Sequence, residues 1–217
     1  LGRLPNGGLG QRLRTLRVNA GLTQTDLAGA RFSKEYVSQI ERGKTRPTQE
    51  TIEWLAERLG VDPGFLASGV AADERGRLEA SLARAEALSE NHEYPEALEE
   101  FTRVSPTIAG IAAVELQVRS LSGEAWVRLR LGQVKEAVQL LTRARAMAED
   151  AMFSDVDRAE ILYRLGACRV ELASIQTAIS LFNEALALAE NSGLPCDRLR
   201  AEIFGARSRC YRRQRDY

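Results

Sequence analysis

"TQTDLAGARFSKEYVSQIERGKTRP", residues 23–47, decides how the first part of this chain folds. Read as a helix from Ser33 to Arg42, its second half puts Tyr36, Val37 and Ile40 on one flank, where they can be buried. Lys34, Glu35, Ser38, Gln39 and Arg42 fall together on the opposite flank, and the helix runs out into the basic loop "GKTRP". For a helix in isolation, a solvated surface face accounts for such a row. The neighbouring residues supply a second reading.

Thr23 stands where an N-cap belongs and Asp26, three residues on, completes a capping box, so "TQTDLAGA" predicts a short helix ending at Gly29. "ARF" is then a tight connection, and Ser33 caps the next helix. Upstream, Leu9, Leu13, Leu16 and Ala20 recur along one face of a helix from about Leu9 to Asn19, with Arg12, Arg14 and Arg17 off that face and Gly21 as its stop. Downstream, Thr48 caps a fourth helix with an apolar stripe of Ile52, Leu55, Ala56 and Leu59. Asp62 before Pro63 opens a fifth, because a first helical turn leaves unpaired the very donor that proline lacks. Five short helices can bury one small core, and two of them joined by about four residues have the spacing of a helix-turn-helix.

Three stretches in order, "GLTQTDLA", "YVSQIERGKTRP" and "LAERLGV", resemble the Xre/Cro family of phage-repressor-like DNA-binding domains over about Leu9 to Gly69. The resemblance implies that the helix from Ser33 to Arg42 enters the major groove of duplex DNA. Its polar row then meets base edges, whose donors and acceptors differ for each base pair. On that basis Lys34, Glu35, Ser38 and Gln39 are the expected base readers. Gln24, Arg42, Lys44 and Arg46 match backbone-contacting positions, which orient a protein without reading sequence. Arg17 and Glu41 match a structural pair that ties the third helix to the first. Relatives of this kind bind as dimers, so a homodimer is expected. One departure stands out: "GARFS" is one residue shorter than the family's usual connection before the recognition helix.

The charge distribution agrees with an anion-binding head. The chain has 30 Lys/Arg and 30 Asp/Glu, yet residues 1–46 hold nine basic residues, Arg3 among them, against three acids (Asp26, Glu35, Glu41), leaving +6 there and −6 in the remainder. At 217 residues, 28% charged and 44% apolar, the sequence suits a soluble protein with two domains or one domain and an array. It shows no apolar run of the roughly 18 residues that span a bilayer and opens on no signal peptide, so a cytoplasmic protein is expected.

Beyond "GVAADERGR" (69–77), a stretch suited to a hinge that soon becomes helical, the sequence repeats. "HEYPEALEEFTRV" (92–104), "GQVKEAVQLLTRARAMA" (132–148) and "ASIQTAISLFNEALALA" (173–189) share Ala97, Ala137 and Ala178, 40 and 41 residues apart, each followed four residues on by Phe101, Leu141 or Phe182. An apolar helix precedes each, so the repeating unit is a helical hairpin. This resembles the tetratricopeptide repeat; "LGACRVELASIQTAISLFNEA" matches well, whereas the unit around Ala125 has Glu124 where leucine is expected. The expected fold is all-α: a five-helix repressor-like domain over 1–69, a hinge over 70–77, and an α-solenoid over 78–217 with three hairpins and the first helix of a fourth. "YRRQRDY" (211–217) repeats the turn signature, which would place Tyr217 between the two helices of that fourth hairpin and imply a continuing chain.

In that family the first helices line a concave groove. Carrying its positions over puts Arg119, Trp126, Leu129 and Arg130 in the groove from the second repeat and Tyr163, Ala167 and Val170 from the third. Such a strip suits a peptide with hydrophobic side chains and a carboxylate, although a register shift in these longer helices would make the same residues ordinary core. Asparagines able to clamp a peptide backbone are scarce, which argues against a close copy of the peptide-pheromone regulators of this architecture.

Other chemistry finds little support. His92, the one histidine, sits at a hairpin turn; Cys168, Cys196 and Cys210 form no CxxC and read as packing residues; "GGLG" lacks the lysine of a phosphate loop. Neither an enzyme nor a metal or other cofactor is expected. The reading is a DNA-binding transcriptional regulator whose repeat domain senses a peptide or protein partner. Its rivals are an interaction scaffold whose helix-turn-helix no longer binds DNA and a peptide-pheromone receptor.

Overall fold

Each start signal read in the first part of the chain becomes a hydrogen bond in the structure, a computed structural model that describes residues 8–215. Helix α1 is Leu9–Asn19, α2 Gln24–Ala28, α3 Lys34–Glu41, α4 Gln49–Leu59 and α5 Pro63–Ser68. The Thr23 hydroxyl accepts from the Asp26 N–H, with the reciprocal bond completing the capping box. Ser33 accepts from the Tyr36 N–H, Thr48 from Thr51 and Asp62 from Phe65. Each such cap contributes about 1 kcal/mol.

The apolar stripes meet in one core. Leu13, Leu27, Val37, Leu55 and Leu66 are fully buried, with Ile40 beside them. Phe32, in the short connection before α3, lies 5.2 Å from the Tyr36 ring and meets Trp54 edge-on at 5.1 Å, so the missing residue of that turn is accompanied by an aromatic plug. Ala20, expected on the apolar face of α1, is exposed beyond the helix end. Arg12, expected off that face, is buried at 6% exposure. Its Nε donates to the Leu66 carbonyl at 3.1 Å and its Nη2 to that of Ala67, serving carbonyls that the end of α5 leaves without helical partners.

The expected hinge at 70–77 is helical from Ala72, since α6 runs Ala72–Glu90. Asp73 and Glu74 occupy its first turn, where negative charge favours a helix, and Arg77–Asp73 and Arg75–Glu79 pair one turn apart. The described residues divide into two units, one up to Ala80 with Pro106–Ala113, the other Ser81–Ser105 with everything from Val114 on. This division into compact units passes through α6. Within the first unit the Ala112 N–H donates to the Ser68 carbonyl at 2.8 Å.

The remaining helices alternate as the repeat pattern demands: α7 Tyr94–Ala109, α8 Val114–Arg130, α9 Val134–Met147, α10 Asp155–Glu171, α11 Ile175–Asn191 and α12 Asp197–Arg215. No strand occurs among the described residues, and Tyr217, the expected place of the fourth turn, lies outside them. His92, Gly132 and Ala173 hold equivalent turn positions, all with left-handed backbone (φ 66°, 79° and 55°). Each closes its helix by a Schellman motif; at Ala173, its own N–H donates to Val170 and that of Ser174 to Arg169.

Alanines of the second helices let the layers approach. Ala137, Leu141 and Ala144 pack with Ala125 and Leu165, and Ala178, Phe182 and Ala185 with Leu162 and Ile203. A Cβ on Gly123 would lie 2.5 Å from the Phe101 ring and one on Gly166 2.5 Å from Phe182, so these glycines are where the aromatics seat. Glu124 replaces leucine without an orphaned charge: it accepts from Ser105 at 2.9 Å and from Arg128 at 2.8 Å. The three cysteines are free and buried, and burial pushes the Cys168 thiol up to about 11, as befits packing residues.

Candidate nucleic-acid interface

Helix α3 has eight residues and so spans about 12 Å, close to the width of the DNA major groove. Val37 and Ile40 anchor one side of it in the core. Lys34, Glu35, Gln39 and Arg42 are exposed on the other, with Ser38 half-buried between them. Lys44 and Arg46, in the loop that follows, are exposed as well. The positions expected to read bases thus share the outward face of α3, as helical spacing required, and the expected loop contacts at Lys44 and Arg46 are open to solvent.

What keeps α3 in place is at its C-terminal end. Glu41 is 4% exposed at its side chain and faces α1, where Arg17 Nε donates to Oε1 at 2.6 Å and Nη2 to Oε2 at 3.1 Å. Arg17 Nη1 also donates to the Leu22 carbonyl at 2.8 Å, so one guanidinium ties together α1, the α1–α2 turn and α3. Gln24 Nε2 donates to Glu41 Oε2 at 2.8 Å, which makes Gln24 a brace of α3 and commits one of its two amide hydrogens. Burial raises the Glu41 carboxyl, but the bonds from Arg17 and Gln24 and the charges of Arg17 and Arg14 outweigh it and hold the group below its usual range.

The chain reverses at Gly43 (φ 68°), whose N–H donates to the Ile40 carbonyl while that of Lys44 donates to Gln39. This Schellman turn carries Thr45 back over α3, where its hydroxyl donates to Gln39 Oε1 at 3.1 Å. Neither this contact nor the pairing of Arg31 with Glu50 follows from periodicity. The glycine directly after a helix is the one sequence signal for the first.

In the repeat unit, the transferred groove positions separate. Leu129 is 9% exposed, packed in the core of α8–α10, and offers no open surface. Ala167 and Val170 are half-buried against the cores. Trp126, Arg130 and Tyr163 do share a surface: Trp126 and Tyr163 ring centroids are 6.1 Å apart, and the Arg130 guanidinium lies over both Tyr94 (5.5 Å) and Trp126 (5.9 Å). Arg164 covers Trp126 at 5.6 Å, and Arg119 is paired with Glu86. Burial and Glu202 push the Tyr163 hydroxyl up against the opposing pull of Arg209, Arg164 and Arg130. Among the described residues no cluster of three or more His, Cys, Asp or Glu is placed to hold a metal, and no helix is long and apolar enough to cross a membrane.

The family described as a helix-turn-helix domain matches residues 8–68. The HTH-type transcriptional regulator DdrOP3 of Deinococcus deserti is 44% identical over 61 residues, 28% of this chain and 47% of that protein. The chain thus spans about half the length of this relative. An uncharacterized HTH-type transcriptional regulator of Sinorhizobium fredii, y4dJ, is 43% identical over 54 residues, 24% of this chain and 70% of its own length. Among solved structures, Bacillus thuringiensis PlcR in complex with the peptide PapR7 and DNA covers 95% of this chain and 88% of its own at 15% identity, with a TM-score of 0.44. With α1 to α5 falling inside the matched span and a regulator matched over 70% of its length, this chain belongs to the helix-turn-helix family of transcriptional regulators.

Proposed function

We propose that this protein is a transcriptional regulator that places α3 in the major groove of duplex DNA, with Lys34, Glu35, Ser38 and Gln39 against base edges. Gln24, Arg42, Lys44 and Arg46 contact phosphates on either side. The observation that carries this reading is the division of α3 itself: Val37 and Ile40 in the core, Lys34, Glu35 and Gln39 in solvent, and Glu41 locked to α1 so that the outward face is held rigid. A preorganised helix meets base edges without first being ordered. A regulator of this kind works beside its DNA in the cytoplasm, as a homodimer on half-sites about 34–36 Å apart.

The test is selection of preferred duplexes from a random pool by the full chain, followed by titration at several salt concentrations. Gln39→Ala should weaken the selected site by roughly 1–3 kcal/mol and relax one base choice. Lys44→Ala should weaken all sequences alike and flatten the salt dependence by about one unit of slope. Indistinguishable effects of the two on base preference would refute this division of roles.

A second activity belongs to the repeat unit. Arg130 lies against Tyr94 and Trp126 beside Tyr163, a surface that suits a peptide or protein segment offering an apolar side chain and a carboxylate. We read this as the sensing face, with Leu129 in its foundation. Arg130→Ala should abolish the effect of such a partner on operator affinity while leaving DNA binding by the unliganded protein unchanged.

A further inference from the structure

We infer that Thr45 is a positioning residue that fixes the direction of the Gln39 carboxamide and thereby biases the base opposite Gln39 toward guanine. The inference rests on the proposed role of α3 as the base-reading helix and adds to it the polarity with which one of its side chains reads.

Gln39 Oε1 carries no hydrogen, so the bond of 3.1 Å to Thr45 has the threonine hydroxyl as donor and the amide oxygen as acceptor. A carboxamide is planar. Turning its oxygen back toward the loop therefore also sets where both Nε2 hydrogens point. Thr45 is held there by backbone rather than by chance of rotamer: Gly43 in the left-handed region and the Lys44 N–H on the Gln39 carbonyl fold the loop over the very residue whose side chain Thr45 engages. Thr45 is half-buried while Gln39 is exposed, so packing restricts the threonine more than the glutamine.

The bases respond differently to such an amide. A glutamine free to present both ends pairs with adenine, its oxygen accepting from the N6 amine and its nitrogen donating to N7. Guanine displays two acceptors, O6 and N7, and asks only for donors. With Oε1 committed to Thr45, the adenine arrangement loses part of its acceptor while the guanine arrangement loses nothing.

The experiment compares the full-length protein with Gln39→Ala, Thr45→Val and Thr45→Ser by selection from a random duplex pool. Gln39→Ala identifies the base pair that Gln39 reads, because only there does choice relax. At that pair Thr45→Val should move the guanine-to-adenine ratio toward adenine by about threefold or more, the size of one neutral hydrogen bond. Thr45→Ser should restore it, and the salt dependence should not change. An unaltered ratio in Thr45→Val, with choice still relaxed by Gln39→Ala, would overturn the inference and leave base reading by α3 intact. So would a uniform loss of affinity for all sequences, which would make Thr45 a backbone contact. If Gln39→Ala relaxes no position, the underlying reading of Gln39 fails and the inference with it. Independently of DNA, nitrogen-15 relaxation of the Gln39 side-chain amide should show order lost in Thr45→Val and retained in Thr45→Ser; equal order in all three proteins overturns the inference even if the valine variant folds poorly.

Discussion

Two helical glycines in the first unit should respond to alanine with opposite signs. In a helix, glycine to alanine is ordinarily stabilising by about 0.5–1 kcal/mol, because glycine loses more backbone freedom on folding. Gly76 in α6 has no atom within 4 Å of where a Cβ would stand, so Gly76→Ala should gain that amount. Gly10, the second residue of α1, differs: its Cβ would lie 2.3 Å from the Ile40 carbonyl oxygen and 2.7 Å from that of Glu41. Both are backbone atoms and have no rotamer into which to move. Bringing the shorter contact to 3.4 Å requires the end of α3 to retreat by 3.4 − 2.3 = 1.1 Å. Glu41 sits at that end, so its 2.6 Å bond to Arg17 is disturbed by the same movement. Overpacking of this kind costs about 1–3 kcal/mol, more than the reduced propensity gain at a helix start. Gly10→Ala should therefore lower the stability of the unit by about 1–2 kcal/mol, read as an earlier midpoint in urea unfolding followed by circular dichroism. It should also weaken binding to every duplex, since the whole of α3 is displaced, whereas Gly76→Ala should leave binding alone. If Gly10→Ala stabilises the protein as Gly76→Ala does, the close approach of α1 to α3 is wrong, and with it the account of how the outward face is held.

Glu41→Ala leaves the Arg17 guanidinium only its bond to the Leu22 carbonyl, and should cost about 1.5–3 kcal/mol in chemical denaturation, whereas joint replacement of both residues by apolar ones of similar size should recover most of the loss. Because the folded state holds the Glu41 carboxyl below its unperturbed value of 4.5, the unfolded chain binds the proton first; the stabilisation is present above that value and fades as pH falls through the lowered one. Stability measured across the acid range should accordingly fall less steeply in Glu41→Gln than in the parent protein, and parallel curves would refute the linkage. Ala173→Gly removes a left-handed alanine (φ 55°) at a turn where the second repeat already has Gly132, and should raise the melting temperature of the repeat unit by the equivalent of about 0.5–1 kcal/mol; no gain would mean that the alanine carries no strain.

What could be read from the sequence was what depends on residues three or four apart. Thr23, Ser33, Thr48 and Asp62 mark helix starts because a cap and its partner are neighbours in the chain, and the outward face of α3 follows from helical spacing once Val37 and Ile40 are recognised as core. Contacts across the fold left no such trace. Arg12 reads as a surface residue of α1 because periodicity sees only its own helix, and its partners Leu66 and Ala67 lie 54 and 55 residues away. The clue was indirect: a helix stopping at Gly69 leaves carbonyls that something must satisfy. "GVAADERGR" misled through its glycines and polar residues, although the same acids that make it look unstructured favour the first turn of α6. Leu129 is buried between a half-buried Trp126 and an exposed Arg130, so what α8 presents to a partner is set by packing across the repeats, which spacing within one helix does not report. The proposed base reading rests on nearer neighbours. It depends on a stripe inside a single eight-residue helix, whose facing is fixed by its own two buried residues and by the bridge from Arg17 to Glu41. Variants of α3 therefore discriminate most sharply between a DNA-reading protein and a scaffold.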